Sequence, residues 1–369
     1  MYVPIQNLIC ISIDGLHNGM IGTYGNNWIQ TPAFDFLAFQ SAVFDRYYAA
    51  SINLVDNFKL LWKNSWLEQF SNSGGDTILV TDDSDIFNHA DASFSRKYMI
   101  ETSENRIADS ADATNFFRIF ATIIDLALEQ VTNRFERRFC IWAHIRGFRG
   151  IWDFPLEYRE LHRDEEDPLP YSGFVPPIFD NFDPDELQSV MESYSGGISL
   201  LDDSLAGLLE SIDSGEIGKQ TAITIFGVRG FSLGEHRKIG ANYELFSENV
   251  QLPLIIKLPD KTGAAVRISE LVNPDNIAEF FIDITKNQCG DESKIVQLIH
   301  ENKIEKNQLL KINGHNNEIA LVTPSWFVYR KGDQMNVYVK PDDRWEVNDI
   351  SNRLDESLES EINEILGNL

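Results

Sequence analysis

The residue best placed to do chemistry is Asp14. It closes a short apolar run, residues 8–13 (LICISI), and is followed by Gly15. A β-branched run of this length, bounded by an Asp-Gly turn signal, predicts a buried strand of a parallel sheet. Open α/β sheets bind ligands outside the carboxyl ends of their strands, so the Asp14 carboxylate is expected to face such a crevice. Asp-Gly also makes ordinary turns, which is the competing role for this residue. Other candidates are harder to assemble. Asp14, His236 and Ser51 have the side chains of a nucleophilic triad, but Ser51 lies in no Gly-x-Ser-x-Gly elbow. His144 and His162 are too isolated for a zinc pair. Asp56, as a carboxylate nucleophile, lacks a neighbouring arginine or a metal to assist it.

The elements that must position these residues follow from periodicity. Apolar strand candidates recur at 77–80, 139–144, 222–226 and 252–258, with helical patterns between them. Residues 115–130 place Phe116, Ile119, Phe120, Ile123, Ile124 and Ala127 on one face. Asp183-Pro184 supplies an N-cap and a first-position proline for a helix whose stripe runs from Leu187 to Leu208. Strands alternating with helices predict an α/β fold: a mostly parallel central sheet flanked by helices. Residues 155–184 hold six prolines and the charge run HRDEED, and read as a surface excursion. Past residue 260 the pattern changes to short strands at 319–322, 326–329 and 336–339, which predict a small antiparallel subdomain. A terminal helix follows, with Leu354, Leu358, Ile362 and Ile365 on one face. The expected division is therefore 1–260 and 261–369.

Composition narrows the function. A net charge of −26 argues against nucleic acid or an anionic membrane as partner, and obliges any anionic ligand to find a local basic site. No apolar run reaches membrane-spanning length. Cys10, Cys140 and Cys289 make no disulfide framework, and the first two lie in predicted strands as small buried thiols. The first strand begins within about eight residues of the start, which leaves no room for a signal peptide and predicts a cytoplasmic protein.

Residues 14–51 carry a recognisable series. Asp14 is followed by Leu16, Gly22, Tyr24 and Gly25, then Thr31-Pro32 with Asp35, then Phe44, Tyr48 and Ser51. In order and spacing this resembles the opening of the sulfatase family, within the alkaline phosphatase-like superfamily. Residues 220–259 resemble that family's second metal motif and its sequel, with Glu244 and Pro253-Leu254-Ile255 the better-matched part. The helix containing Asp202 and the stretch 337–352 also resemble family segments, the latter loosely.

What the resemblance implies about chemistry is contradicted at nearly every site position. The family's nucleophile is a formylglycine made from Cys or Ser in a Cys/Ser-x-Pro-x-Arg sequence. Here Leu54 and Phe58 stand for the nucleophile and its arginine, and leucine has no lone pair to attack with. The family's divalent cation takes carboxylates at positions held here by Asp14, Gly15 and Val228. Arg149 replaces a histidine, Asp83 or its neighbour a lysine, and Ala241 a later lysine, whereas His236 matches. One carboxylate does not hold calcium tightly. The expectation is a sulfatase-like protein that has lost sulfuric-ester hydrolase activity. It would have no catalytic residue, no bound metal (Asp14 being a vestigial ligand) and no cofactor. Its role would lie in binding an unidentified ligand or protein. The alternative is a hydrolase of sulfate or phosphate esters with a non-standard site built on Asp14, His236 and Asp56. Arg229, one residue past the lost ligand Val228, is expected to pair with Asp14 in place of the cation. Arg149 would then be left to hold an oxyanion. If both arginines instead reach solvent, that substitution fails.

Overall fold

The computed structural model describes residues 5–90, 94–102, 107–132, 138–213, 217–259, 261–285, 299, 309–354 and 356–367. Cys289 lies outside them. The first strand, β1 (Asn7–Asp14), is buried along its whole length. It pairs in parallel with β5 (Phe139–Ile145) on one side and β6 (Thr221–Arg229) on the other. Outward from β5 come β3 (Asp76–Thr81) and the edge strand β4 (Arg96–Met99), both parallel. Two short strands, β7 (Ser232–Leu233) and β8 (Ile239–Gly240), pair with each other, and Ile239 also bridges to Phe179. Outward from β6 comes β9 (Gln251–Lys257), antiparallel to both neighbours, then β2 (Ala42–Tyr48) and β10 (Val266–Val272), a parallel pair. The sheet thus has eight strands in the order β10-β2-β9-β6-β1-β5-β3-β4. Five of the eight strands were legible as apolar runs and β2 through the family resemblance; β4 and β10 were not. Because β10 joins the sheet, the large sheet draws on chain beyond position 260.

Alternation along the strands builds two cores. Ile9, Ile11 and Ile13 face a layer containing the helices Asn115–Thr132 and Pro184–Asp213. Leu8 and Cys10 face the opposite layer, with Phe58, Trp66, Trp142 and Phe281. The long helix opens with a reciprocal cap: Glu186 N–H donates to the Asp183 carboxylate at 2.9 Å, and Asp183 N–H to the Glu186 carboxylate at 3.0 Å. Asp202, midway along it, accepts from the backbone N–H groups of Ala33 and Phe34, capping the helix Pro32–Phe39 from outside. Burial pushes its carboxyl up to about 6 despite these bonds.

The excursion 155–184 exposes Asp164, Glu165 and Glu166, yet it is anchored by a fully buried arginine. Arg159 donates to the carbonyls of Trp152, Phe154, Tyr171 and Gly173. A guanidinium that satisfies four carbonyls fixes a proline-rich segment lacking a ladder of its own.

The second sheet is a four-stranded antiparallel meander: β11 (Leu310–Asn313), β12 (Ile319–Val322), β13 (Trp326–Lys331) and β14 (Gln334–Val339). Ile312, Val322, Phe327 and Tyr329 pack on Tyr48, Ile52 and Val250 of the large sheet's surroundings. Its other face, with Leu321, Val328 and Val337, is covered by Ile362, Leu358 and Ile365 of the helix Glu356–Gly367. Among the described residues, no helix is long and apolar enough to cross a membrane.

Candidate functional site

Asp14 sits at the carboxyl end of β1 and is 2% exposed. The β1–β6 register runs Ile13 to Gly227 and then Asp14 to Arg229, so Val228 is an extra residue in a bulge. This shift decides the site. Val228, at the lost ligand position, is buried in the core beneath the sheet, and Arg229 is brought level with Asp14. Arg229 donates Nε to one Asp14 oxygen at 2.9 Å and Nη2 to the other, a bidentate fork. Burial alone would raise the Asp14 carboxyl, but the charges of Arg229 and Arg149 outweigh it and hold it below the usual carboxylate range. Burial likewise disfavours the Arg229 cation, and Asp14 more than compensates, raising it.

Arg149 follows β5. It lies 3.8 Å from an Asp14 oxygen, and its Nε and Nη2 donate to the carbonyls of Gly230 and Asn242 at 2.9 Å each. The expected left-over cation is thus mostly used to tie loops together. The Tyr243 ring lies over it, its centroid 5.8 Å from the guanidinium. Burial brings Arg149 down to about 10, with the Arg229 charge adding to the fall.

The backbone beside Asp14 leaves little room for a side chain at position 15. Gly15 has φ +76°, and a Cβ there would meet the backbone N of Arg149 at 2.9 Å. Leu54 and Phe58 belong to the helix Leu54–Leu61, capped by Asn53. Phe58 is fully buried, edge-on to His144 at 4.9 Å. His144 shares a hydrogen bond with Ser12 through Nδ1 at 3.2 Å, while its Nε2 has no partner among the described residues. Burial pulls this imidazole down to about 4 against the pull of Asp83 and Asp14, so it is neutral at neutral pH.

The remaining candidates do not converge on Asp14. His236 bonds Glu248 through Nδ1 at 3.1 Å and the Glu346 carbonyl through Nε2 at 3.2 Å, and stacks on Phe246. Burial would lower this histidine, but Glu248 and Glu346 raise it to about 8. Ser51 accepts from Asn53 N–H. Asp56 pairs with Lys59 on the outer face of its helix. His162 bonds Ser199 in the excursion. The triad and the carboxylate nucleophile are therefore not assembled. Sequence reasoning missed the residues that connect these groups. Arg149 Nη2 reaches Asn249, Asn249 and Asn242 both bond Ser232, and Ser232 leads to Glu248 and His236. Nothing in their spacing marks them, since they meet only through loops.

The calcium implied by the family resemblance does not fit these residues. A hard cation takes several oxygen ligands. Here both oxygens of Asp14 are engaged by a guanidinium, and the described residues contain no cluster of three or more His, Cys, Asp or Glu suited to a metal.

The eight-stranded sheet with its small antiparallel partner recurs in solved structures. The phosphonate monoester hydrolase of Agrobacterium radiobacter superposes with a TM-score of 0.78 at 13% identity, covering 98% of this chain and 95% of that one. A putative sulfatase from Bacteroides thetaiotaomicron gives 0.75 at 13% identity, covering 99% and 92%. These likenesses define an alkaline phosphatase-like α/β fold. The sulfatase family profile matches residues 61–287, and the chain belongs to the sulfatase family. Human iduronate 2-sulfatase is 29% identical over 87 residues, which span 24% of this chain and 16% of that protein.

Proposed function

We propose that this sulfatase-family chain has lost sulfuric-ester hydrolysis and acts by binding a ligand or partner. The observation that carries the proposal is the Arg229 fork, which occupies both oxygens of Asp14. A metal-assisted mechanism needs that carboxylate for a cation, and a covalent one needs a nucleophile where Leu54 stands. A cytoplasmic setting belongs to the proposal: the two described cysteines are buried and unbridged, as suits a reducing compartment; recovery of the protein outside the cytoplasm on cell fractionation would refute that part. The main test is turnover of 4-nitrophenyl sulfate, 4-nitrophenyl phosphate and a phenyl phosphonate monoester, with and without calcium, alongside metal analysis of the purified chain. The expected outcome is no turnover above an Asp14→Asn control and no stoichiometric metal. Chelator-sensitive hydrolysis that Asp14→Asn abolishes would instead establish a hydrolase with a non-standard site.

A further inference from the structure

A second cavity, of about 310 Å³, opens between the large sheet and the C-terminal segment and shares no residue with the Asp14–Arg229 pair. Four of its ten lining residues are cationic, namely Arg46, Arg267, Lys340 and Arg344, whereas Lys and Arg make up 31 of the chain's 369 residues. Its one carboxylate is Asp45. In a chain of net charge −26, this is the local basic site that an anionic ligand requires.

Two of the four cations are already engaged. Arg267 pairs with Asp45 and donates Nη1 to the Thr23 carbonyl at 2.9 Å. Lys340 is buried against Glu346 and donates to the Arg344 carbonyl at 2.8 Å. The other two retain free donors. Arg46 gives one Nη2 bond to the Pro324 carbonyl at 3.0 Å, and the rest of its fork has no acceptor among the described residues. Arg344 is exposed, lies over the Trp345 ring at 4.8 Å and donates no side-chain hydrogen bond to the described residues. An independent sign comes from Asn18. It is 7% exposed, it lines the cavity, and its side-chain amide has no protein partner among the described residues. Its amide is thus free to bond a polar group that enters the cavity.

We infer that this seam cavity binds a small organic oxyanion. Arg46 and Arg344 grip a sulfate, phosphate or carboxylate group, and Asn18 bonds a hydroxyl of its frame. Guanidinium forks match such oxyanions, and the volume suits one molecule of monosaccharide size. The inference goes beyond the loss of turnover and does not depend on it. Calorimetric titration of the full chain at low salt, with glucose 6-sulfate, glucose 6-phosphate, glucuronate and uncharged glucose, tests it. At least one anion should bind and glucose should not, the three anions showing which oxyanion is preferred. Arg46→Gln and Arg344→Gln should each weaken binding about tenfold or more, as loss of charge-assisted hydrogen bonds does. Tyr243→Ala, at the Asp14 crevice, should leave binding unchanged. The inference is overturned if no anion binds at millimolar concentration, if glucose binds as well, or if both arginine variants bind like the parent chain. It is also overturned if Tyr243→Ala abolishes binding, which would place the anion at Asp14. Hydrolysis of a bound ester would count against the loss of turnover and leave this site intact.

Discussion

Two buried charge clusters in this chain are built on opposite principles. In the crevice, the carboxylate of Asp14 is held by Arg229 with Arg149 close by. In the seam beneath the second sheet, Glu248 and Glu346 are met by His236 and Lys340. The crevice pairs a carboxylate with arginine, whose charge does not change at any ordinary pH. The seam contains a histidine that titrates near neutrality. A polar path through Asn249, Asn242 and Ser232 joins them. The contrast is between a carboxylate fixed by an arginine fork and a cluster whose histidine is raised to about 8.

The sharpest way to break this comparison is to remove the fork. Arg229→Ala strands a buried carboxylate and should cost about 3–5 kcal/mol of unfolding free energy, as loss of one member of a buried pair does. Denaturant unfolding reads this directly. Replacing Asp14 and Arg229 together with apolar residues should cost much less, since neither charge is left unpaired. Equal losses in the single and double variants would mean that the pair is not a unit.

The seam should show itself as a pH dependence. His236 is raised in the folded chain from its ordinary 6.5 to about 8. Its contribution is therefore fully present below about pH 6.5 and lost as pH rises through about 8, on the order of 1 kcal/mol once solvent screening is allowed for. His236→Gln should flatten the melting curve over that window. Glu235 behaves with opposite sign. Burial would raise it, but His17 and local N–H bonds hold it down at about 2. Its share is present above about pH 4.5 and lost only as pH falls toward 2. A melting temperature unchanged between pH 6 and 9 in the parent chain would remove the seam's half of the contrast.

Much of this architecture was legible in the residues, and the exceptions have physical causes. β1 reads clearly because both of its faces are buried, so apolar residues run without interruption. β10 was missed because it is an edge strand with an exposed Arg267 among its apolar positions, and β4 because RKYM has no apolar face. Arg229 was legible as the partner of Asp14 through its place beside Val228, but the bulge that sets it level depends on pairing between strands more than 200 residues apart. The partners of Arg149 were not legible for a related reason: the carbonyls of Gly230 and Asn242 that it bonds are backbone acceptors, which no residue type announces. Of the seam cluster only His236 was marked in the sequence, by the family resemblance; its partners Glu248 and Glu346 were not, since Glu346 reaches it from 110 residues away.

The smallest expected effect is the response to calcium, and it bears most directly on the crevice. A ligand raises stability only to the extent that its concentration exceeds its dissociation constant. To bind at Asp14, calcium would have to displace a guanidinium from both oxygens and still lack the further carboxylates it needs. A site weaker than about 10 mM gives less than about 0.1 kcal/mol at 1 mM calcium, below what a melting curve resolves. Neither calcium nor a chelator should therefore move the melting temperature. Leu54→Cys should add no aryl-sulfate turnover, because the cation's position stays filled. Restoring the second carboxylate is blocked by the backbone itself: Gly15 turns with φ +76°, and any Cβ there meets Arg149 at 2.9 Å. Gly15→Asp should accordingly lower stability without creating a metal site. A calcium-dependent rise of several degrees in the parent chain would show that Arg229 yields its place readily, and the contrast between a fixed crevice and a titrating seam would fail.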